Sequence, residues 1–463
     1  MMNKAGFVLA IGLGIAVADA YAAKVKGITS VAQLAHYAGQ SGNAIKMKPG
    51  VYRMEDYLTP QVISNTVPHE VMGAAMITFS GSNNTFDLTG VTIEVNTELL
   101  NDFRTTVMEF FVTGSNNRIT GLTVTDVGNA PTAKGGQSFV VDGQRNAIME
   151  VTLNMSGSAP YGYGDLLGKG GGSLARLQKH SGLLVTGEDI VIRDCSIYSR
   201  SFGHLFFVQG GRKVRFENCY AEAVTRTTDE MLAETSGPAF DANFAAVYKN
   251  YDGEKIISPG YTKSLSECGF RNYGSGGPER RSTGAISLIN CRAKNCRIGF
   301  AMTKVDGDIL IKDCEATGCE AGYNIEGVTI ENSRGDAVNG PLLYLNAGEA
   351  STVDLALMPA TNKTTVHALA TIAGEDHSVT LKRWRNMARG AMLPICMGTT
   401  RPAACNPFSP LGTKPASGIT LNNETGMPVE IGSTVRSSTI TSTSAVTDHG
   451  SGNTVSTTQN PSG

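Results

Sequence analysis

KHSGLLVTGEDIVIRDCSIYSRSFGHLFFVQGGRKVRFENCYAEAVTR, residues 179–226, contains two successive copies of one pattern. Cys195 and Cys219 lie 24 residues apart, and Gly187 and Gly210 lie 23 apart. Each copy holds two short apolar strands broken at a Gly-centred turn. A period of about 20–25 residues with strands in every repeat marks a solenoid, in which coils stack and bury a continuous core. A solenoid lengthens by adding coils, so 463 residues need not divide into several globular domains.

The pattern extends outward from this stretch. FSGSNNTFDLTGVTIEV, FVTGSNNRITGLTVTDV and VVDGQRNAIMEVTLNM align with the two copies and put Gly81, Gly114, Gly143, Gly187 and Gly210 at one position. Two residues earlier the side chain is apolar: Phe79, Val112, Val141, Val185 and Val208. One residue earlier it is polar: Ser80, Thr113, Asp142, Thr186 and Gln209. Strand alternation turns the first set inward and the second onto an exposed ladder. A side chain at the Gly position would obstruct the corner or would need a positive φ. Later coils read as GAISLINCRAKNC, GDILIKDCEATGC and GVTIENSRG, with further strands to about Val455.

The ends and interruptions also have readings. Residues 1–22 carry Lys4, an apolar run and small-residue cleavage sites, a secretory signal peptide that predicts a secreted or periplasmic protein. No later stretch is a membrane span. SVAQLAHYAGQ predicts a short amphipathic helix with Ser30 as N-cap, placed to cover the open end of the stack. Residues 23–455 form the solenoid domain and 456–463 a disordered tail. Two insertions, 155–178 and 225–283, flank the opening stretch, and insertions in a solenoid often mark its binding face.

All nine Cys follow the signal peptide. Cys396 and Cys405 close a short loop and are the best disulfide candidates. Cys195/Cys219, Cys291/Cys314 and Cys296/Cys319 recur at repeat spacing, which favours neighbours in packed ladders over metal ligands.

The net charge of −2 shows no polyanion-binding signature for the whole molecule, and no nucleic-acid partner is expected. Residues 169–226, however, carry nine Lys and Arg against five Asp and Glu. Such a local basic region suits an anionic sugar, or is a solvated strand face. Candidate catalytic residues are Lys179, His180, His204, Tyr163 and Arg200. His180 and His204 stack on the Cys register; on the Gly register Ser181 faces His204, and Gly211 is the extra residue. Lys179 and His180 are adjacent in a strand, so only one of them can face a cleft. Tyr161 and Tyr163 sit in a Gly-rich loop and could donate a proton or stack on a sugar ring. Substrate-binding candidates are Tyr161, Lys169, Gln209, Arg226 and Glu230. No metal or other cofactor is called for, although Asp229, Glu230 and Glu234 could bind calcium.

The export signal, capping helix, PGVY first strand and coils with Gly, Asn and Cys ladders resemble the right-handed parallel β-helix proteins of the pectin-lyase-like superfamily. The resemblance covers about residues 24–455 and implies an all-β, single-stranded right-handed parallel β-helix. Known members are mostly lyases, hydrolases and C5-epimerases of acidic polysaccharides, with tailspikes and adhesins beside them. The polygalacturonase branch carries Asn-Thr-Asp, Asp-Asp and Gly-His-Gly; here only Gly203-His204-Leu205 comes near. The epimerase motif Asp-Pro-His-Asp is absent. Trp384 lies in LKRWRN, outside a pectate-lyase Trp-x-Asp-His. The branch that remains uses Lys, Arg, His and Tyr, as in alginate and other uronate lyases. Its likeness here rests on Tyr161–Asp165, Lys179–Gly182 and Arg200–His204. The resemblance therefore implies β-elimination on a uronate polymer such as alginate, by a monomer. A glycoside hydrolase using carboxylates of the acidic segment 229–254, or a non-catalytic glycan-binding surface protein, are the alternatives.

Overall fold

The computed structural model describes residues 24–128, 135–168, 173–250, 252–345, 347–359, 366–385, 392–400 and 412–458. The chain winds into a single-stranded right-handed parallel β-helix with three strand faces. One face is a 13-stranded sheet containing Val107–Val112, Gly136–Val141, His180–Val185, Phe206–Gln209, Cys268–Tyr273 and Ile298–Met302. The other two bend within a 21-stranded sheet: Glu188–Arg193 pairs with Arg212–Glu217, and Ser196–Ser199 pairs with Thr152–Met155 and Tyr220–Ala223. All the pairings of these two sheets are parallel, as expected when each strand meets its counterpart one coil away.

The corner between the second and third faces explains the repeated Asn/Asp-Cys pairs. Asp194, Asn218, Asn290 and Asp313 have φ of 54°, 53°, 51° and 55°, a left-handed conformation that short polar side chains tolerate. Their side chains form a ladder: Asn218 Nδ2 donates to Asp194 Oδ1 at 2.9 Å and Asn290 Nδ2 to Asn218 Oδ1 at 2.9 Å. Each following Cys (Cys195, Cys219, Cys291, Cys314) turns inward and is a buried free thiol, as are Cys296 and Cys319. The repeat-spaced cysteines are thus packing residues. Cys405 lies outside the described residues, and the proposed Cys396–Cys405 pairing with it.

The Gly ladder works by close approach. A Cβ on Gly114 would lie 1.9 Å from the Gly81 carbonyl oxygen, and one on Gly143 would lie 2.3 Å from that of Gly114. Of the five corner glycines, only Gly143 and Gly210 have positive φ. Beside them Asn84, Asn117 and Asn146 stack and cross-bond the coils; Asn117 accepts from the Asn84 N–H at 3.1 Å and donates to Gly81 O at 2.8 Å. Inside the first face Phe206, Phe270, Phe300 and Tyr323 stack with centroids 5.1, 5.1 and 5.0 Å apart. Near the N-terminus the helix Val31–Ala38 is capped by Ser30, whose hydroxyl accepts from the Gln33 N–H, and buries Val31, Leu34 and Ala38.

On the polar ladder Ser80 is exposed and Thr113, Asp142 and Gln209 are half-buried, and Thr186 alone of the five departs from the expectation of exposure. Thr186 is buried and donates to Asp142 Oδ1 at 2.8 Å. The hairpin of Ser275–Gly276 and Arg281–Ser282 covers it, with Arg281 donating to the Thr186 carbonyl at 2.7 Å. Strand Thr454–Thr457 is the last, and residues 1–22 lie outside the described region. No helix among the described residues is long and apolar enough to cross a membrane.

Candidate functional site

The register at the opening stretch decides where its side chains go. Leu183 pairs with Phe206 and Val185 with Val208, a 23-residue step, whereas Ile190 pairs with Val214, a 24-residue step. The Gly register governs the first face, and Gly211 takes up the extra residue. His180 and His204 are therefore not stacked, and each has its own partners.

A groove of about 510 Å³ runs along the third face at the carboxyl ends of Thr152–Met155, Ser196–Ser199 and Tyr220–Ala223. Asp126, Asn154, Tyr161, Tyr198, Arg200 and Glu222 line it. Tyr161 and Tyr198 are 42% and 43% exposed, and Tyr198 packs edge-on against Tyr220 with ring centroids 5.7 Å apart. The Arg200 guanidinium lies 5.9 Å from the Tyr161 ring centroid and has no carboxylate partner among the described residues. Glu222 is already engaged: it takes Lys294 at 2.8 Å and the Tyr220 hydroxyl at 2.7 Å. Against the effect of partial burial, those hydrogen bonds hold its carboxyl below the usual range. A second hollow of about 720 Å³ near the N-terminus is lined by Leu58, Ile63, Phe103 and neighbours and holds none of the candidate residues.

Under the groove floor lies a buried cluster. His180 is fully buried, with Nε2 3.2 Å from Glu109 Oε1, 3.6 Å from Asp126 Oδ2 and 3.0 Å from Ser138 Oγ. Gly136, one coil back, leaves room for the ring: a Cβ there would sit 2.7 Å from Nδ1. Asp126 Oδ2 also accepts the Ser156 N–H at 2.7 Å, which ties the cluster to the groove. Burial pushes the Glu109 carboxyl up to about 7. Burial and the neighbouring Glu109 raise Asp126 well above the carboxylate range, while burial lowers the His180 imidazole.

Lys179 and His204 belong to a different network. Lys179 Nζ is 2.9 Å from Glu267 Oε2, and His204 Nε2 is 3.3 Å from the same oxygen and 2.7 Å from the Tyr273 hydroxyl. Glu267 Oε1 meets Arg297 at 3.5 Å, Arg297 meets Asp165 at 3.1 Å, and Asp165 meets Lys263 at 3.3 Å; Lys263 also pairs with Glu320. Burial lowers His204 to about 3. Although burial opposes ionisation of Glu267, His204, Arg297 and Lys179 hold its carboxyl well below the usual range. Asp165 comes from the first insertion and Lys263 from the second, so the network clamps both onto the solenoid.

The remaining candidates join the insertions to each other. Tyr163 donates to Glu234 Oε2 at 2.9 Å, and Arg226 pairs with Glu234 Oε1 at 2.6 Å beneath the Tyr163 ring. Glu230 closes a capping box with Thr227 at the helix Thr228–Leu232, and Asp229 accepts the Gly260 N–H. Asp229, Glu230 and Glu234 are thus engaged locally and do not converge on a calcium site. Gln209 stands at the far end of its strand from His204, against Gly276 of the covering hairpin. Lys169 lies outside the described residues. Of the residues singled out in the sequence, Tyr161 and Arg200 share the groove.

The basic excess of 169–226 is largely neutralised: Arg193 and Arg215 meet Glu217, Lys213 meets Glu188, and Arg212 meets Asp306. Sequence reasoning missed Glu109, Asp126, Lys263, Glu267, Arg297 and Glu320, and singled out Asp165 only as the end of the Tyr161–Asp165 unit. One signal was present. Glu267-Cys-Gly-Phe270, Arg297-Ile-Gly-Phe300 and Glu320-Ala-Gly-Tyr323 each put a charge three residues before a core aromatic.

No protein-family model and no curated protein matches the chain. Solved structures do resemble it. The A-module of a mannuronan C-5 epimerase from Azotobacter vinelandii is 11% identical, over 92% of this chain and 92% of that one, with a TM-score of 0.38. A tailspike protein of an E. coli bacteriophage is 10% identical over 92% of this chain and 75% of that one, TM-score 0.48. A mannuronic acid specific polysaccharide family 6 lyase from human gut microbiota is 10% identical over 93% and 83%, TM-score 0.43. These are parallel β-helix proteins. At such identity no residue role passes from them to this chain.

Proposed function

We propose that the protein is an exported polysaccharide lyase that binds a uronate polymer, alginate above all, in the third-face groove and cleaves it by β-elimination. The observation that carries this reading is Arg200. Its guanidinium faces the groove with no carboxylate partner among the described residues, while Glu222 is held by Lys294 and Tyr220 and burial raises the Asp126 carboxyl. Arg200 is the one Lys or Arg among the described residues that line the groove, and a free guanidinium suits a carboxylate-bearing sugar. β-Elimination needs that carboxylate neutralised so that the C5 proton becomes acidic, and Arg200 supplies the neutralising charge. Tyr161, reacting as its phenolate beside the guanidinium, takes the C5 proton, and the phenol so formed gives that proton to the leaving O4 as the C4–O4 bond breaks. Tyr198 offers a ring face to a neighbouring sugar, and Asn154 offers hydrogen bonds. Lys179 and His204 act at a distance, through the clamp that holds the insertion bearing Tyr161.

A second reading rests on Asp126 and Glu222, two carboxyl groups lining one groove and shifted in opposite directions. That is the pattern of a hydrolase acid–base pair. The deciding assay incubates the purified protein with alginate, pectate and glycosaminoglycans and follows both ultraviolet absorbance of unsaturated uronate and new reducing ends. Absorbance rising with reducing ends supports elimination. Reducing ends alone support hydrolysis. Polymer binding with neither signal makes the protein a glycan-binding module and sinks the lyase.

A further inference from the structure

The Glu109–Asp126–His180 cluster is built like a metal site. Its three ligand atoms lie within 4.8 Å of one another, and two of the three residues are carboxylates that pair with no Lys or Arg among the described residues. Atoms bound to one ion at about 2.0–2.2 Å in tetrahedral geometry stand about 3.3–3.6 Å apart. The observed separations from His180 Nε2 are 3.2 Å to Glu109 Oε1 and 3.6 Å to Asp126 Oδ2. An independent observation points the same way. Glu109 Oε1 and Oε2, Asp126 Oδ1 and Thr97 Oγ1 are all buried without a hydrogen-bond partner. The Glu109 and Asp126 side chains are 0% and 1% exposed. Buried polar atoms are rarely left so, and each one costs about 1–3 kcal/mol.

We infer that Glu109, Asp126 and His180 bind a divalent transition-metal ion of the zinc type beneath the groove. Two carboxylates balance the ion's charge. An imidazole among the ligands favours zinc, manganese or a similar ion over calcium, which prefers six to eight oxygens. Ser138 Oγ, 3.0 Å from Nε2, sits in the same shell. Gly157 roofs the cluster: a Cβ there would lie 3.8 Å from His180 Nδ1 and 3.0 Å from Thr97 Cγ2. Because Asp126 also holds the Ser156 N–H, the ion would fix the groove floor at Ser156 and Gly157. The site stands whether or not the groove performs elimination.

The test is metal content, which needs no substrate. The full chain is stripped with a chelator, dialysed against zinc and then against metal-free buffer, and assayed by elemental analysis. About one equivalent per chain is expected, with the melting temperature falling on chelation. Glu109→Gln and His180→Ala should each lower zinc affinity by about 10-fold or more. Should those variants fail to fold, the wild-type chain refolded with cobalt(II) supplies the second measurement. Visible d–d bands of a nitrogen–oxygen site support the inference. Neither retained zinc nor cobalt bands, together with a melting temperature indifferent to chelator, would overturn it and leave a carboxyl pair sharing a proton.

Discussion

Replacing Arg297 by Met should release the two insertions while leaving the solenoid wound. Among the described residues, three cations (Lys179, Lys263, Arg297) and three carboxylates (Asp165, Glu267, Glu320) pair in the network beside the first face, and their charges balance. The Arg297, Asp165 and Glu267 side chains are 4%, 0% and 3% exposed, and water cannot replace a lost partner. Removing one member of a buried pair costs about 3–5 kcal/mol, because the remaining charge stays desolvated. Arg297 holds two carboxylates, and the upper part of that range applies. Met keeps most of the volume, so the loss reads as charge rather than cavity. Hydrogen exchange followed by mass spectrometry is the assay. Amides of 155–168 and 225–264 should exchange about 100-fold faster or more, while those of the stacked strands Phe206–Gln209 and Ile298–Met302 keep their protection. A second signal comes from His204, whose imidazole is held down by burial and further lowered by Arg297. Its titration, followed by NMR, should move to higher pH in the variant. Unchanged exchange in both insertions, with His204 unmoved, would refute the clamp.

Other predictions follow from single contacts. Arg200→Ala should cut turnover on a uronate polymer by about 100-fold or more with little change in melting temperature, since the side chain is exposed and anchors nothing; wild-type turnover would remove Arg200 from the chemistry. Gly114→Ala should destabilise by at least about 1–3 kcal/mol in urea melts, because its Cβ meets the Gly81 carbonyl at 1.9 Å and backbone would have to shift. Burial raises the Asp336 carboxyl to about 6, although it accepts the Gly318 N–H at 3.0 Å. The folded state therefore holds that proton more tightly than the unfolded chain. Its contribution is complete below about pH 4 and lost as pH rises through about 6, up to about 3 kcal/mol at 1.36 kcal/mol per unit. Asp336→Asn should abolish that slope in melts taken from pH 4 to 7, and a variant with the wild-type slope would contradict the assignment.

The ladders were legible because stacking copies one constraint into every coil. Gly81 to Gly210, the Asn/Asp-Cys corners and the inward valines recur at the repeat, and repetition separates them from chance. The groove was only half legible. Tyr161 and Arg200 stood out as exposed types in an insertion and a turn, but Asp126 looked like an ordinary polar residue in TVTDV. Lys179, Tyr163 and Arg226 drew attention by their chemistry, yet pair with Glu267 and Glu234, 88 and 71 residues from Lys179 and Tyr163. Neither distance is readable without knowing how the insertions fold back. His180 and His204 hinged on one residue: Gly211 sets the first face at a 23-residue step and the second at 24, and only backbone pairing resolves which applies to the imidazoles.

The corner that begins the first face meets burial of charge in two ways along the axis. In the coils of Glu267, Arg297 and Glu320, signs alternate from strand to strand, and Lys179, Lys263 and Asp165 complete neutrality. Four strands earlier in the same sheet, Glu109 of Val107–Val112 and, at the end of the adjoining third face, Asp126 stand beside the His180 imidazole, which burial lowers. No Lys or Arg among the described residues pairs with either carboxylate. Two bare carboxylates in a dry interior would cost several kcal/mol each. Something positive must therefore enter with them, either protons or a metal ion. A proton would let the two carboxyls share a hydrogen bond, whereas an ion would engage Glu109 Oε1, Oε2 and Asp126 Oδ1 directly. The difference in charge balance between these two parts of the solenoid, more than any single distance, marks the floor of the groove as built for something other than stacking.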